Sequence, residues 1–126
     1  MIPQYNSLSK QNRITKQKDF DRFFGRNFKQ QKGRNISAEF LFIKILPAET
    51  AVFRIGFMVN NKVDKRATMR NKIKRQLREV VRACLPKINN KVDLLIVVNK
   101  KIVGKEYGEI EKTVLDLLKR GRAIDH

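Results

Sequence analysis

Apolar positions along the chain follow two periods, and their succession outlines a fold. In 15–28 (TKQKDFDRFFGRNF), Phe20, Phe24 and Phe28 recur every fourth residue and Phe23 widens that face. This spacing predicts a short helix with Thr15 as its N-cap, interrupted at Gly25. A basic loop covers 29–35. Residues 36–46 (ISAEFLFIKIL) are β-branched and aromatic, and Pro47 stops them, so they read as a strand. In 52–59 (VFRIGFMV), Phe53, Ile55, Phe57 and Val59 share one face, with Arg54, Gly56 and Met58 on the other. The short PAET link predicts that these two strands pair antiparallel.

A second helix is predicted over 67–85 (ATMRNKIKRQLREVVRACL). At about 100° per residue, Ile73, Leu77, Val80, Val81 and Cys84 fall on one arc, and Pro86 closes the segment. Asn71, Lys74, Arg75, Arg78 and Arg82 share the adjoining arc. Residues 92–99 (VDLLIVVN) form a nearly all-apolar strand, of the kind buried on both faces. A last helix, 105–121, carries Ile110, Val114, Leu117 and Leu118 as its stripe, with acids leading, basics trailing and Gly121 as cap. The order α-β-β-α-β-α predicts an α+β fold: one small domain with a mostly antiparallel sheet packed with helices. There is room for one further short strand within 29–37. Residues 15–121 are expected to form a single domain, between a flexible segment (1–14) and a C-terminal tail (122–126).

Charge changes the picture. The 126 residues include 29 Lys and Arg against 12 Asp and Glu, a formal +17. Self-repulsion of that size opposes compaction and points to a polyanionic partner, nucleic acid first and an anionic membrane second. With 41% hydrophobic residues the chain can still build a core. No apolar signal region or membrane span is present, and the longest aliphatic run is 94–98, which leaves the cytoplasm as the expected compartment. The single cysteine, Cys84, lies on a core register and reads as a buried small hydrophobe.

Catalytic side chains are not expected. The one histidine is the terminal His126, the acids are scattered, and no spacing matches a metal-ligand set, a nucleophile triad or a phosphate-binding glycine loop. Binding chemistry is concentrated instead. From Lys62 to Arg82 there are nine basic residues and two acids. Arginine can grip a phosphate with two hydrogen bonds, and the helix N-terminus is expected to add N–H donors near Arg70 and Asn71. Asn71 offers both donor and acceptor to a base edge or 2′-hydroxyl. The second cluster is aromatic. Phe20, Phe24, Phe40 and Phe42 fit either core positions or a groove beside Lys44 and Arg54, where bases would stack and cations follow the backbone.

RNKIKRQLRE (70–79) resembles the protein subunit of bacterial ribonuclease P, whose hallmark is an Arg-Asn-Arg-x-x-Lys-Arg-type helix followed by Leu-Arg-Glu. NRITKQKDFDRFF (12–24), FRIGFMVNNKV (53–63) and DLLIVV (93–98) are similar to that family's other patterns, in the same order. Lys72 stands where the family prefers Arg, and the turn NNKVDKRAT lacks the usual Ser-Lys-Lys and its glycine. The link between Phe24 and Phe40 is also longer than the family's usual one. The resemblance implies a left-handed β-α-β crossover and an RNA subunit that performs catalysis with Mg²⁺, releasing the 5′ leader from precursor tRNA. It implies no metal or catalytic group in the protein and no required protein partner. Lys62, Arg66, Arg70, Asn71, Lys72, Lys74, Arg75 and Arg78 would then meet the catalytic RNA and substrate. Arg13, Phe20, Phe24, Phe40, Phe42, Lys44 and Arg54 would line the leader groove. The rival expectation is a ribosomal or other structured-RNA binder without a catalytic role.

Overall fold

A computed structural model describes residues 10–89 and 91–124. His126 and the first nine residues of the expected leading segment lie outside that range. The elements are α1 (Gln17–Asp21), α2 (Gly25–Gln30), β1 (Arg34–Ser37), β2 (Leu41–Pro47), β3 (Arg54–Met58), α3 (Ala67–Ala83), β4 (Val92–Val98) and α4 (Tyr107–Arg120). The sheet order is β1-β2-β4-β3. β1 pairs antiparallel with β2 and β2 with β4, while β3 and β4 run parallel across the α3 crossover.

β4 takes the interior place because all seven of its residues are buried, so it needs cover on both faces and partners on both edges. Its insertion corrects the expected pairing of the second and third strands. They do run in opposite directions, but β4 separates them. The single strand expected over 36–46 is also corrected. A turn at 38–40 folds it into a hairpin, closed by Ala38 N–H donating to the Leu41 carbonyl at 2.8 Å. The extra short strand foreseen in 29–37 is β1.

Alternation in β2 divides the core. Leu41, Ile43 and Ile45 join Ile55, Leu94 and Ile96 in the main cluster. The stripes of α3 (Ile73, Leu77, Val80, Val81) and α4 (Ile110, Val114, Leu117, Leu118) close over it. Each such aliphatic stabilises the fold by about 1.5–3 kcal/mol as an upper bound, which anchors α3 firmly. The opposite face of the sheet holds a smaller cluster of Ile14, Phe23, Phe28, Leu46, Leu95 and Val97 under α1 and α2.

Several local expectations are corrected. The first helix is two helices, since Phe24 is extended and Gly25 turns at φ 71° to begin α2. Its N-cap is Lys16 rather than Thr15, because the Lys16 carbonyl accepts from Asp19 and Phe20 N–H. Arg13 and Ile14, expected in the loose leading segment, lie on the outer edge of β3, where Ile14 N–H donates to the Ile55 carbonyl at 3.0 Å. In the expected tail, Ala123 and Ile124 are buried and Ile124 bridges to Ile88. Gly121 does cap α4, yet the left-handed residue is Arg122, at φ 59°. Gly121 is needed for space, since a Cβ there would strike the Ile45 and Ile36 side chains.

Candidate nucleic-acid interface

β3 is an outer strand, with the segment of Arg13 and Ile14 along its edge and the cationic side of α3 beyond. Together they enclose a cleft of about 440 Å³, lined by Arg13, Phe20, Phe57, Lys74, Arg75 and Arg78 among others. Gly56 forms part of the floor. A Cβ on it would lie 3.1 Å from the Phe20 ring and 3.2 Å from Ile14, so glycine is what lets that ring lie against the sheet. Three helix cations, one loop cation and two half-buried rings thus meet in one place, with the Glu79 carboxylate beside them.

Other residues of the basic segment stand differently. Asn71 and Lys72 are exposed outside the cleft. Arg70 folds back, its Nη1 donating to the Asp64 and Lys65 carbonyls at 2.9 Å each. Arg66 is clasped by Asp64 through bonds of 3.0 and 2.8 Å, which hold the Asp64 carboxyl down at about 2. Lys62 is exposed on the preceding turn. The expectation that the helix N-terminus presents N–H donors near Arg70 and Asn71 is corrected. α3 starts at Ala67, so the Arg70 N–H already donates to the Arg66 carbonyl at 3.1 Å.

The aromatic set divides. Phe20 and Phe42 are half-buried at the margin of the α1–α2 cluster, and Phe24 is exposed, at 39%. Lys44 sits over the Phe24 and Phe28 rings, 4.8 and 4.5 Å from their centroids, and donates to the Phe23 carbonyl at 3.0 Å. Burial pushes its ammonium pKa down from the ordinary value. Phe40 is a correction: only 3% exposed, it belongs to the main core on the opposite face, beneath Lys105. It lies two residues from Phe42, but the turn at 38–40 ends before β2 begins and places it on the α4 side.

Arg54 is drawn into a network that sequence reasoning missed. Asp93, fully buried at the start of β4, accepts from Arg22 Nη1 at 2.7 Å and from Arg54 Nη2 at 2.9 Å. Arg54 also meets Asp19 at 3.3 Å, and Glu49 lies 3.3 Å from Arg22 and 3.4 Å from Arg54. The bond to Asp93 holds the Arg54 guanidinium above its ordinary pKa. The network fastens α1 and the link to α2 onto the sheet and so fixes one wall of the groove. Arg54 is thereby a structural cation as well as a lining one, for it also borders a second hollow with Lys10, Arg13, Lys16 and Lys18. These lysines were legible as an acid-free basic run over 10–18.

Among the described residues no three His, Cys, Asp or Glu side chains come together as a metal site. Cys84 is buried, which raises its thiol pKa and fits the core role. No described helix is long and apolar enough to cross a membrane.

Comparison with known proteins agrees with the resemblance. The ribonuclease P family profile matches residues 8–122. The ribonuclease P protein component of Bacillus cereus (strain 03BB102) is 31% identical over 114 residues, covering 90% of this chain and 93% of that one. That of Pseudanabaena sp. (strain PCC 6903) is 29% identical over 118 residues, covering 93% and 97%. Among solved structures, the Staphylococcus aureus RNase P protein superposes with a TM-score of 0.77 at 24% identity, over 90% of this chain and 98% of that chain. The Thermotoga maritima RNase P protein gives 0.64 at 27% identity, over 75% and 91%. Fold, basic helix and matched length agree: the chain belongs to the ribonuclease P protein family.

Proposed function

We propose that this chain is the protein component of a ribonuclease P holoenzyme, which binds a catalytic RNA and the 5′ leader of precursor tRNA during removal of that leader. The observation that carries this reading is the cleft, in which Arg13 and Phe20 face Lys74, Arg75 and Arg78. Rings beside preorganised cations suit a single strand, because bases stack on the rings while the cations follow phosphates. The rigid backing of α3 fixes the backbone that carries its arginines, so binding has only their exposed side chains left to order. Exposed Asn71, Lys72, Lys62 and Arg66 extend the cationic surface towards the catalytic RNA. Hydrolysis in this reading belongs to the RNA subunit, which holds the Mg²⁺ that activates water. The protein adds positive charge and substrate grip.

The test is the salt dependence of binding to a bacterial ribonuclease P RNA with precursor tRNA. Arg75→Ala and Arg78→Ala should each flatten the log–log slope by about 0.7–0.9 per lost phosphate contact. An unchanged slope and affinity in both variants would mean that this helix face is merely solvated.

A further inference from the structure

A second cationic surface lies towards the other edge of the sheet, where no strand among the described residues lies outside β1. Lys32 and Arg34 from the turn into β1 meet Lys91 before β4 around a hollow of about 210 Å³, walled by Ile45, Leu46, Pro47 and Val92. The end of α4 adjoins it: Arg34 Nη2 donates to the Gly121 carbonyl at 2.6 Å, within the turn that carries Lys119 and Arg122. That bond fixes the guanidinium without neutralising it, since a carbonyl carries no net charge. The ion pairs among the described residues involve none of Lys32, Arg34, Lys91, Lys119 and Arg122.

We infer that this β1-edge surface is a second RNA-binding site, which takes the phosphodiester backbone of folded RNA. The inference rests on the proposed ribonuclease P role and adds a second contact with the catalytic RNA, made by residues outside α3. Three features fix the occupant. The lining is cationic and aliphatic with no aromatic ring, so it can hold phosphates but has nothing on which to stack a base. Backbone contact without stacking suits helical RNA, whose bases are already paired. Lining also separates the two surfaces: no residue is shared between this hollow and the α3 cleft. They act as independent grips, so one chain can hold two segments of a folded RNA. Cations on an open edge also deter strand-to-strand aggregation, but that role requires no RNA affinity.

The experiment uses the full chain with Lys32→Gln, Lys91→Gln and Lys119→Gln combined, three exposed side chains. A matched control neutralises the exposed Lys100, Lys101 and Lys112 instead. Circular dichroism establishes folding of both, and binding is titrated against a bacterial ribonuclease P RNA and a single-stranded leader oligonucleotide. The edge variant should lower the salt slope on the folded RNA by about 2 units and its affinity at 0.15 M salt by roughly 100-fold. Oligonucleotide binding should stay at the wild-type level, and the control should lose less than about half as much slope. An edge variant equal to wild type, a control that loses as much, or an equal loss on the oligonucleotide each overturns the inference while the proposed function stands. A wild-type chain that fails to bind the catalytic RNA overturns both.

Discussion

Asp93→Asn is the sharpest test of how the groove wall is held. Asp93 is fully buried and accepts from Arg22 at 2.7 Å and from Arg54 at 2.9 Å. The substitution keeps the shape of the side chain and removes its charge, leaving two guanidiniums with side chains only 13% and 12% exposed facing an amide. Breaking a buried pair by removing one partner costs about 3–5 kcal/mol. Asp19, its side chain 10% exposed, stays paired with Arg54 and offsets part of the loss. Glu49 at 53% exposure is screened and offsets little, so the loss should sit near the lower bound, about 3 kcal/mol. In urea, with a slope of roughly 2 kcal/mol/M, the unfolding midpoint should fall by about 1.5 M. A loss under about 1 kcal/mol would refute the reasoning, because it would mean that water or Glu49 satisfies both arginines. Binding to a leader oligonucleotide should weaken in the same variant as α1 loosens.

Other outcomes follow from single contacts. Phe20→Ala should weaken leader binding by about 1–3 kcal/mol if the ring stacks on a base, read by titration with the oligonucleotide; a folding collapse would assign the ring to the core alone. Gly56→Ala drives a methyl towards the Phe20 ring and Ile14 and should cost about 1–3 kcal/mol in thermal or urea unfolding; a neutral result would show that Phe20 can move away freely. The Asp64 carboxyl should titrate at about 2 by NMR, held down by hydrogen bonds from the Arg66 side chain and backbone. Its folded pKa lies below the unfolded ~3.9, so its contribution is fully present above that value and is lost as pH falls through about 2. A midpoint near the unfolded value would show that the Arg66 clasp does not form.

Local signals carried much of this fold. α3 was legible because its apolar period runs unbroken to Cys84 and then meets proline, and β4 because seven consecutive buried residues leave no polar face. The β1–β2 hairpin was not, since only Glu39 and Ala38 interrupt an otherwise continuous β-forming run. Strand order was hidden too, because pairing is decided by which strand needs two neighbours and not by the length of a link. Asp93 reads in sequence as an acid at the edge of an apolar run. Its partners Arg22 and Arg54 are 71 and 39 positions away, so only the folded chain shows the charge to be paired. The choice between core and groove for Phe40 was not legible, because it lies in the turn before β2, where strand alternation does not apply. The cationic side of α3 was legible as a whole, while the inward folding of Arg70 was not, because it depends on carbonyls freed by the turn at 64–65.

A chain that grips the leader in this way should help a catalytic RNA act on precursor tRNA. The most direct measurement is cleavage by a bacterial ribonuclease P RNA at low magnesium, with and without the protein, on matched substrates with a long or a one-nucleotide leader. Cleavage at the mature 5′ end should be stimulated, with the larger gain on the long leader. Binding to the RNA with no change in cleavage on either substrate would contradict this expectation and favour a structural RNA binder.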